Sequence, residues 1–346
     1  MCKKQINALT LPQLAERLKE MGQPAFRAKQ IFHWLHQKQV SEFSQMTDQP
    51  KTLLAKLEEE YDIVRLTIQR RQQSKDGTVK YLFGLPDGNC IETVVMRYTY
   101  GNTVCVSTQV GCRMGCRFCA STQAGLVRSL TAGEIAAEIY AAQADIGQRI
   151  SHIVLMGIGE PLDNFDNVMD FLTIISSPDG INIGMRNISL STCGLVPMID
   201  KLAQRKLQLT LSISLHAPND EMRSRMMPVN NAYPVAQLID ACRRYQKTTG
   251  RRISFEYSMV KGVNDSPETA RQLAGLIKGM GAHVNLIPIN PVDGSPYSAT
   301  DAANVRRFQQ LLEQLGVNAT VRRRLGSDIS AACGQLRREA REEAQG

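Results

Sequence analysis

Up to about residue 62 the apolar positions recur at helical spacing. Leu14 and Leu18 stand at i, i+4, as do Ile31 and Leu35 beside Trp34, and Leu53, Leu54 and Leu57 follow. Pro12, Pro24 and Pro50 punctuate these segments. From Ile63 to about Tyr100 the period shortens to that of strands. Residues 78–85 and 90–98 are rich in β-formers, Pro86-Asp87-Gly88 between them signals a turn, and Asp76-Gly77 signals another. The pattern predicts a helical accessory module over residues 1–62 and a β-hairpin linker region over 63–100.

After Tyr100 short apolar runs alternate with amphipathic ones. Strands are expected at 103–107, 152–156, 188–191, 207–215, 253–260, 283–287 and 319–323. Helical patterns lie between them, for example at 131–142, 235–245, 267–278 and 303–315. Such alternation implies βαβ units on a parallel sheet, and six or seven units suit a complete or partial (β/α) barrel over 101–346. Ligands of such barrels gather at the C-terminal ends of the strands. The charged stretch 337–346 reads as a solvated helix end.

Composition narrows the class. With 43% hydrophobic and 21% charged residues in 346, the chain is neither disordered, collagen-like nor a disulfide-packed miniprotein. No run approaches the ~18 apolar residues of a membrane helix, and no apolar block of signal-peptide type follows the first lysines. A soluble cytoplasmic protein is expected. The net charge of +8 is compatible with an anionic partner such as nucleic acid. Nine cysteines, an odd number in a reducing compartment, argue against a disulfide framework and for metal, redox or ordinary buried thiols.

Three of them form the sharpest local signal, Cys112-Arg-Met-Gly-Cys116-Arg-Phe-Cys119, directly after the first barrel-type strand. Thiolates at i, i+4 and i+7 in a glycine-containing loop can converge on a metal or cluster. A structural zinc site wants four closed ligands, so zinc requires a distant fourth cysteine. Three thiolates on a four-iron cluster leave one iron open to a ligand. Further polar residues end later strands: Gly159-Glu160-Pro161, Ser191, Ser214-Leu215-His216 and Asn290. Singly each reads as a turn or cap; their recurrence at successive strand ends points to one binding site at the barrel mouth.

The Cys-x3-Cys-x2-Cys motif, with Phe118 beside its last cysteine, resembles the radical S-adenosylmethionine (SAM) superfamily. That resemblance implies a [4Fe-4S] cluster on Cys112, Cys116 and Cys119. It also implies SAM contacts at Gly159, Glu160, Ser191, Ser214, Leu215, His216 and Asn290, with Glu160 able to face the SAM ammonium. The chain is similar, over nearly its whole length, to the RlmN and Cfr family of radical SAM RNA adenine methyltransferases. The similarity includes Cys105 upstream of the motif, Cys333 in Ala-Ala-Cys333-Gly, and the segments 214–220, 227–230, 262–265 and 285–288.

The family resemblance implies a chemistry that uses two SAM molecules per turnover, one as methyl donor and one as radical source. Cys333 accepts a methyl group as S-methylcysteine, and the methyl carbon, made a radical, adds to the adenine ring. Glu92 accepts the ring proton. Cys105 then resolves the thioether, leaving a transient disulfide with Cys333 that an external thiol reductant opens. The implied substrates are 23S rRNA and, as a second substrate, the tRNA adenosine following the anticodon. The implied electron donor is a flavodoxin or ferredoxin. RlmN methylates adenine C2 and Cfr C8; Pro161 after Glu160 resembles the RlmN pattern. Arg70-Arg71, Arg243-Arg244, Arg251-Arg252 and Arg322-Arg323-Arg324 are candidate phosphate contacts. Cys2, Cys90, Cys193 and Cys242 match no role.

Overall fold

The structure is a computed structural model that describes residues 3–289, 297–323, 325, 326, 328, 329 and 336. Three helices open the chain: α1 (Leu11–Glu20), α2 (Phe26–His36) and α3 (Lys51–Glu60). Two short paired strands, β1 (Lys4–Gln5) and β2 (Tyr61–Asp62), bracket them. The spacing that predicted helices also predicts their buried face. Leu14, Leu18, Ile31, Leu35, Leu53 and Leu57 are all at most 2% exposed, in one core shared with the rest of the molecule.

Strands β3 (Thr67–Gln73), β4 (Val79–Gly84) and β5 (Cys90–Tyr98) form an antiparallel meander, and β5 pairs antiparallel with β6 (Gly101–Cys105). A small hairpin, β7 (Gln109–Gly111) with β8 (Leu126–Ser129), flanks the cysteine loop. Then strand and helix alternate through α4 (Ala132–Ile146), β9 (Ile150–Leu155), α5 (Phe165–Ser176), β10 (Ile188–Thr192), α6 (Val196–Gln204) and β11 (Thr210–Ser214). The alternation continues with α7 (Asp220–Met226), α8 (Val235–Thr249), β12 (Ile253–Met259), α9 (Pro267–Leu276), β13 (His283–Pro288), α10 (Ala302–Gln314) and β14 (Asn318–Val321).

One sheet holds ten of these strands in the order β14-β13-β12-β11-β10-β9-β6-β5-β4-β3. From β6 through β9 to β14 every pairing is parallel, as βαβ connection requires. The β3–β5 region does not stand apart as a linker, because its strands continue this sheet past β6. The sheet ends at β3 and β14 without pairing them, which leaves the barrel partial.

The two faces of the parallel strands differ in kind. Leu190, Leu211, Ile213, Ile253, Phe255, Tyr257, Val284 and Leu286 pack into the main core at no exposure. The alternate positions are small and polar. Ser189 and Ser212 hydroxyls stand 3.1 Å apart, and Ser191 and Ser214 hydroxyls 3.4 Å apart. A closed barrel of branched side chains fills its own interior. Serines at these positions leave room, and a cavity of about 670 Å³ occupies the interior.

Candidate active site

That cavity gathers most of the residues singled out in the sequence. Cys105, Cys112, Cys116, Cys119, Gly159, Glu160, Ser191, Ser214 and His216 all line it. Leu215 does not line it: its side chain is fully buried in the main core, and its carbonyl accepts from Arg223 Nε at 3.1 Å. Asn290 and Cys333 lie outside the described residues, as do Cys2 and Arg324.

The cysteine loop is tied at both ends. Cys112 N donates to Gly125 O (3.0 Å), and Thr122 Oγ1 donates toward the carbonyls of Cys116 (3.0 Å) and Cys119 (2.9 Å). Gly111 is required beside it, at φ +83, because a Cβ there would lie 1.9 Å from Gly125 O. Burial, and then the negative charge of neighbouring thiols and carboxylates, pushes the Cys112 thiol up to about 12; burial and the same neighbouring thiols push Cys116 up as well. The thiols are thus close enough to repel one another as thiolates. Binding a cationic centre reverses that penalty and releases their protons.

Among the described residues no three His, Cys, Asp or Glu side chains converge as ligands of one ion. Three thiolates on one tetrahedral zinc at ~2.3 Å would have to approach within about 3.8 Å of each other. Three thiolates that each take a different iron need not. The donor set, three soft thiols on one cavity wall, therefore fits an iron–sulfur cluster with an open iron.

Glu160 lines the cavity and is held there by main-chain donors. Its carboxylate already accepts two main-chain N–H groups, from Leu162 at 3.0 Å and from Cys193 at 2.7 Å, while its own N–H donates to Gln109 Oε1 at 2.9 Å. It joins the ends of β9 and β10 and shapes the loop whose backbone lines the cavity. Burial pushes its carboxyl above the usual range, against those hydrogen bonds. The bend beside it needs Gly159, at φ +107, where a Cβ would meet Gln109 Cβ at 2.6 Å.

Arg223 on α7 holds the next loops. It has no exposure, and its guanidinium donates to the carbonyls of Cys193 (2.6 Å), Ser214 (3.2 Å) and Leu215 (3.1 Å) and to Asn230 Oδ1 (3.0 Å). His216 follows with φ +58, an uncommon conformation for a residue with a side chain. Its Nδ1 accepts from Ser258 N (2.9 Å), so the neutral ring carries its proton on Nε2. Burial, aided by Arg223, pulls its pKa down to about 3. Its ring packs edge-on against Phe118 at 4.9 Å, linking the cysteine loop to the end of β11.

The opposite wall comes from β5 and β6. Cys105 is buried with Val94 and Met96, and Cys105 pairs with Val94 in the strand register. Glu92, two residues before Val94 on the same sheet face, is buried and paired with the fully buried Lys80, whose Nζ lies 3.1 Å from Oε2. The Glu92 carbonyl accepts from Ser107 Oγ at 2.7 Å.

Sequence reading missed Glu256 and Arg223. Glu256 lines the cavity, accepts from Asn285 Nδ2 (2.8 Å) and Ser254 Oγ (3.3 Å), and is pushed up by burial against the pull of Arg322. The alternation Ser254, Glu256, Ser258 in an otherwise apolar strand was the available signal. Arg223 had none, being one arginine of a polar helix. Of the arginine pairs, Arg71, Arg243 and Arg244 are bound to Asp145, Asp240 and Asp200, whereas Arg322 and Arg323 line the cavity. Cys193 is buried on the cavity wall and Cys242 in the main core. No helix among the described residues is long and apolar enough to cross a membrane.

Comparison with known proteins agrees with this layout. Residues 106–274 match the Radical SAM superfamily, and residues 5–63 match the Ribosomal RNA large subunit methyltransferase N-terminal domain. The chain is 54% identical over 344 residues to the probable dual-specificity RNA methyltransferase RlmN of Desulforamulus reducens, covering 98% of each sequence. It is 54% identical over 336 residues to the protein of the same description from Clostridium perfringens, covering 97% of each. A crystal structure of a radical SAM methyltransferase from Sphaerobacter thermophilus superposes with a TM-score of 0.91 at 47% identity, covering 96% of this chain and 98% of that one.

Proposed function

Because the chain belongs to the RlmN family of radical SAM RNA methyltransferases, we propose that it methylates C2 of an adenine in 23S rRNA and in tRNA. The observation that carries this reading is one interior cavity lined by a three-cysteine loop, by strand-end polar groups and, across from them, by Cys105.

Cys112, Cys116 and Cys119 would hold the [4Fe-4S] cluster. With SAM bound, such a cluster supplies the electron that breaks the sulfonium and yields a 5′-deoxyadenosyl radical. The loop backbone around Gly159 and Glu160, the hydroxyls of Ser191 and Ser214, the main chain at Leu215, and His216 would position SAM, with Asn290 completing the set. A neutral His216 offers a donor at Nε2 without adding positive charge beside a sulfonium. The Cys333 thiolate accepts the methyl group, since a thiolate is a far better nucleophile than an adenine carbon. The S-methyl carbon of Cys333, after losing a hydrogen atom to the 5′-deoxyadenosyl radical, bonds to the ring, and the odd electron of that adduct would return to the oxidised cluster. Glu92, whose carboxylate lies 3.1 Å from the Lys80 ammonium, takes the ring proton. The Cys105 thiolate then attacks the Cys333 sulfur: the S–S bond forms as the S–CH2 bond breaks, and the electron pair goes to the ring-attached carbon, which takes up a proton to become the methyl group. An external thiol reductant and a flavodoxin or ferredoxin fit the reducing cytoplasm in which we place the protein.

The test is incubation of the anaerobically reconstituted protein with SAM, reductant and unmodified RNA. Nucleoside mass spectrometry against authentic 2- and 8-methyladenosine follows. We expect 2-methyladenosine; 8-methyladenosine would move the chain to Cfr-type chemistry, and neither product would overturn the reading.

A further inference from the structure

The turn between β3 and β4 does more than reverse the chain. Asp76 and Gly77 form it, with Gly77 at φ +86 and Asp76 Oδ1 accepting from Thr78 N at 2.9 Å. The other carboxylate oxygen of Asp76 reaches 250 residues along the sequence to accept from Gly326 N at 2.8 Å. The exchange is returned. Asp328 accepts from Ser74 Oγ at one carboxylate oxygen and from Lys75 N at the other, at 3.1 Å. Hydrogen bonding to these donors holds Asp328 below the ordinary carboxylate range, and holds Asp76, against partial burial, down to about 2. Both carboxylates are therefore charged acceptors at neutral pH, the stronger kind of hydrogen bond. Between them, Leu325 packs onto the Val94, Met96 and Cys105 cluster, and Leu325, Gly326 and Ile329 line the cavity.

We propose that Asp76 and Asp328 form a reciprocal clasp whose function is to position the C-terminal segment for methyl transfer. The proposal rests on the reading of Cys333 as the methyl carrier. Cys333 lies five residues beyond Asp328, so at ~3.6 Å per extended residue its Cα stays within about 18 Å of the clasp. A tether this short keeps the thiol at high effective concentration near the cavity. It also explains why β3–β5 are built onto the barrel sheet: Cys105 and the point from which the Cys333 segment departs are then held by the same meander. Asp76 and Asp328 are positioning residues, and neither lines the cavity.

The experiment compares Asp76→Ala, Asp328→Ala, Asp328→Asn and Cys333→Ala in the full-length reconstituted protein. Four readouts are taken: iron content, thermal midpoint, the fraction of Cys333 carrying a methyl group, and the rate of RNA methylation. We expect the two alanine variants at the clasp to keep full iron and a near-unchanged thermal midpoint, yet to methylate RNA about tenfold more slowly. Trypsin should cut them faster after Arg322 and Arg323. Asp328→Asn keeps one acceptor oxygen and should recover part of the rate. Wild-type rates in both alanine variants would overturn the clasp, as would a loss of rate that only follows loss of iron or of folding. Undiminished RNA methylation by Cys333→Ala would instead overturn the underlying reading, whatever the clasp variants do.

Discussion

Among the described residues two cations, Arg223 and Lys80, are buried without exposure, and they are met by different partners. Arg223, on the wall where SAM is proposed to bind, is surrounded by main-chain carbonyls and one amide oxygen. Lys80, on the wall that carries Cys105, meets the Glu92 carboxylate. A planar guanidinium with five donors can bind several loop ends at once and hold them in fixed relation. An ammonium against a carboxylate makes one ion pair and fixes fewer positions. One cation ties several loop ends together, and the other pairs two strands of the meander.

The sharpest way to break this contrast is at the cofactor itself. Cys116→Ala should abolish bound iron and all SAM cleavage, measured by iron analysis and by 5′-deoxyadenosine formation; a variant that keeps four irons would mean Cys116 is no ligand. Next come the two cations. Lys80→Met leaves a buried carboxylate uncompensated and should cost about 3–5 kcal/mol in denaturant unfolding. Combining it with Glu92→Gln should recover most of that stability while RNA methylation stays absent. Recovery of both would deprive Glu92 of a chemical role. Arg223→Met strands several buried carbonyls, each worth roughly 1–3 kcal/mol, and should weaken SAM binding together with stability.

A smaller effect comes from two buried imidazoles and is read by pH. Burial lowers His216 to about 3, and it does the same to His36, which packs against Phe32 and bonds Tyr140 at 2.9 Å. In the unfolded chain both take protons below about 6.5, whereas the native protein refuses them until about 3. Stability therefore falls as pH drops through that window, and each ring should cost about 2–3 kcal/mol near pH 4.5. His36→Phe, of similar size, is expected to flatten about half of this dependence in thermal scans; an unchanged slope would show that other groups govern it. The mildest change, Ser214→Ala, should raise KM for SAM roughly fivefold, the worth of one hydrogen bond near 1 kcal/mol, and leave iron content intact.

Most of the wall where SAM is proposed to bind is legible in the sequence. The cysteine spacing, the glycines of the 156–161 loop and the polar residue ending each strand are local signals, because the parallel sheet brings all strand ends to one side. The opposite wall is legible only in part. Glu92 reads as an ordinary strand carboxylate until Lys80 is seen across the β4–β5 register. Leu215 stands inside a recognisable segment, but its side chain follows the two-residue period into the core. Glu160 reads as a carboxylate free to meet an ammonium; its two main-chain donors come from loops that sequence does not juxtapose.

By itself the sequence determined the element types, the faces they bury and the identity of the thiol loop, since these depend on periodicity, turn chemistry and spacing within some ten residues. Only the tertiary structure decided which partners each charged group meets. It alone set Arg223 among the ends of β10 and β11, Lys80 against Glu92, and the Asp76 carboxylate on the main chain of Gly326, 250 residues away. The reason is physical. A charge can be buried only where partners compensate its desolvation, and those partners come from whichever strands the fold makes neighbours.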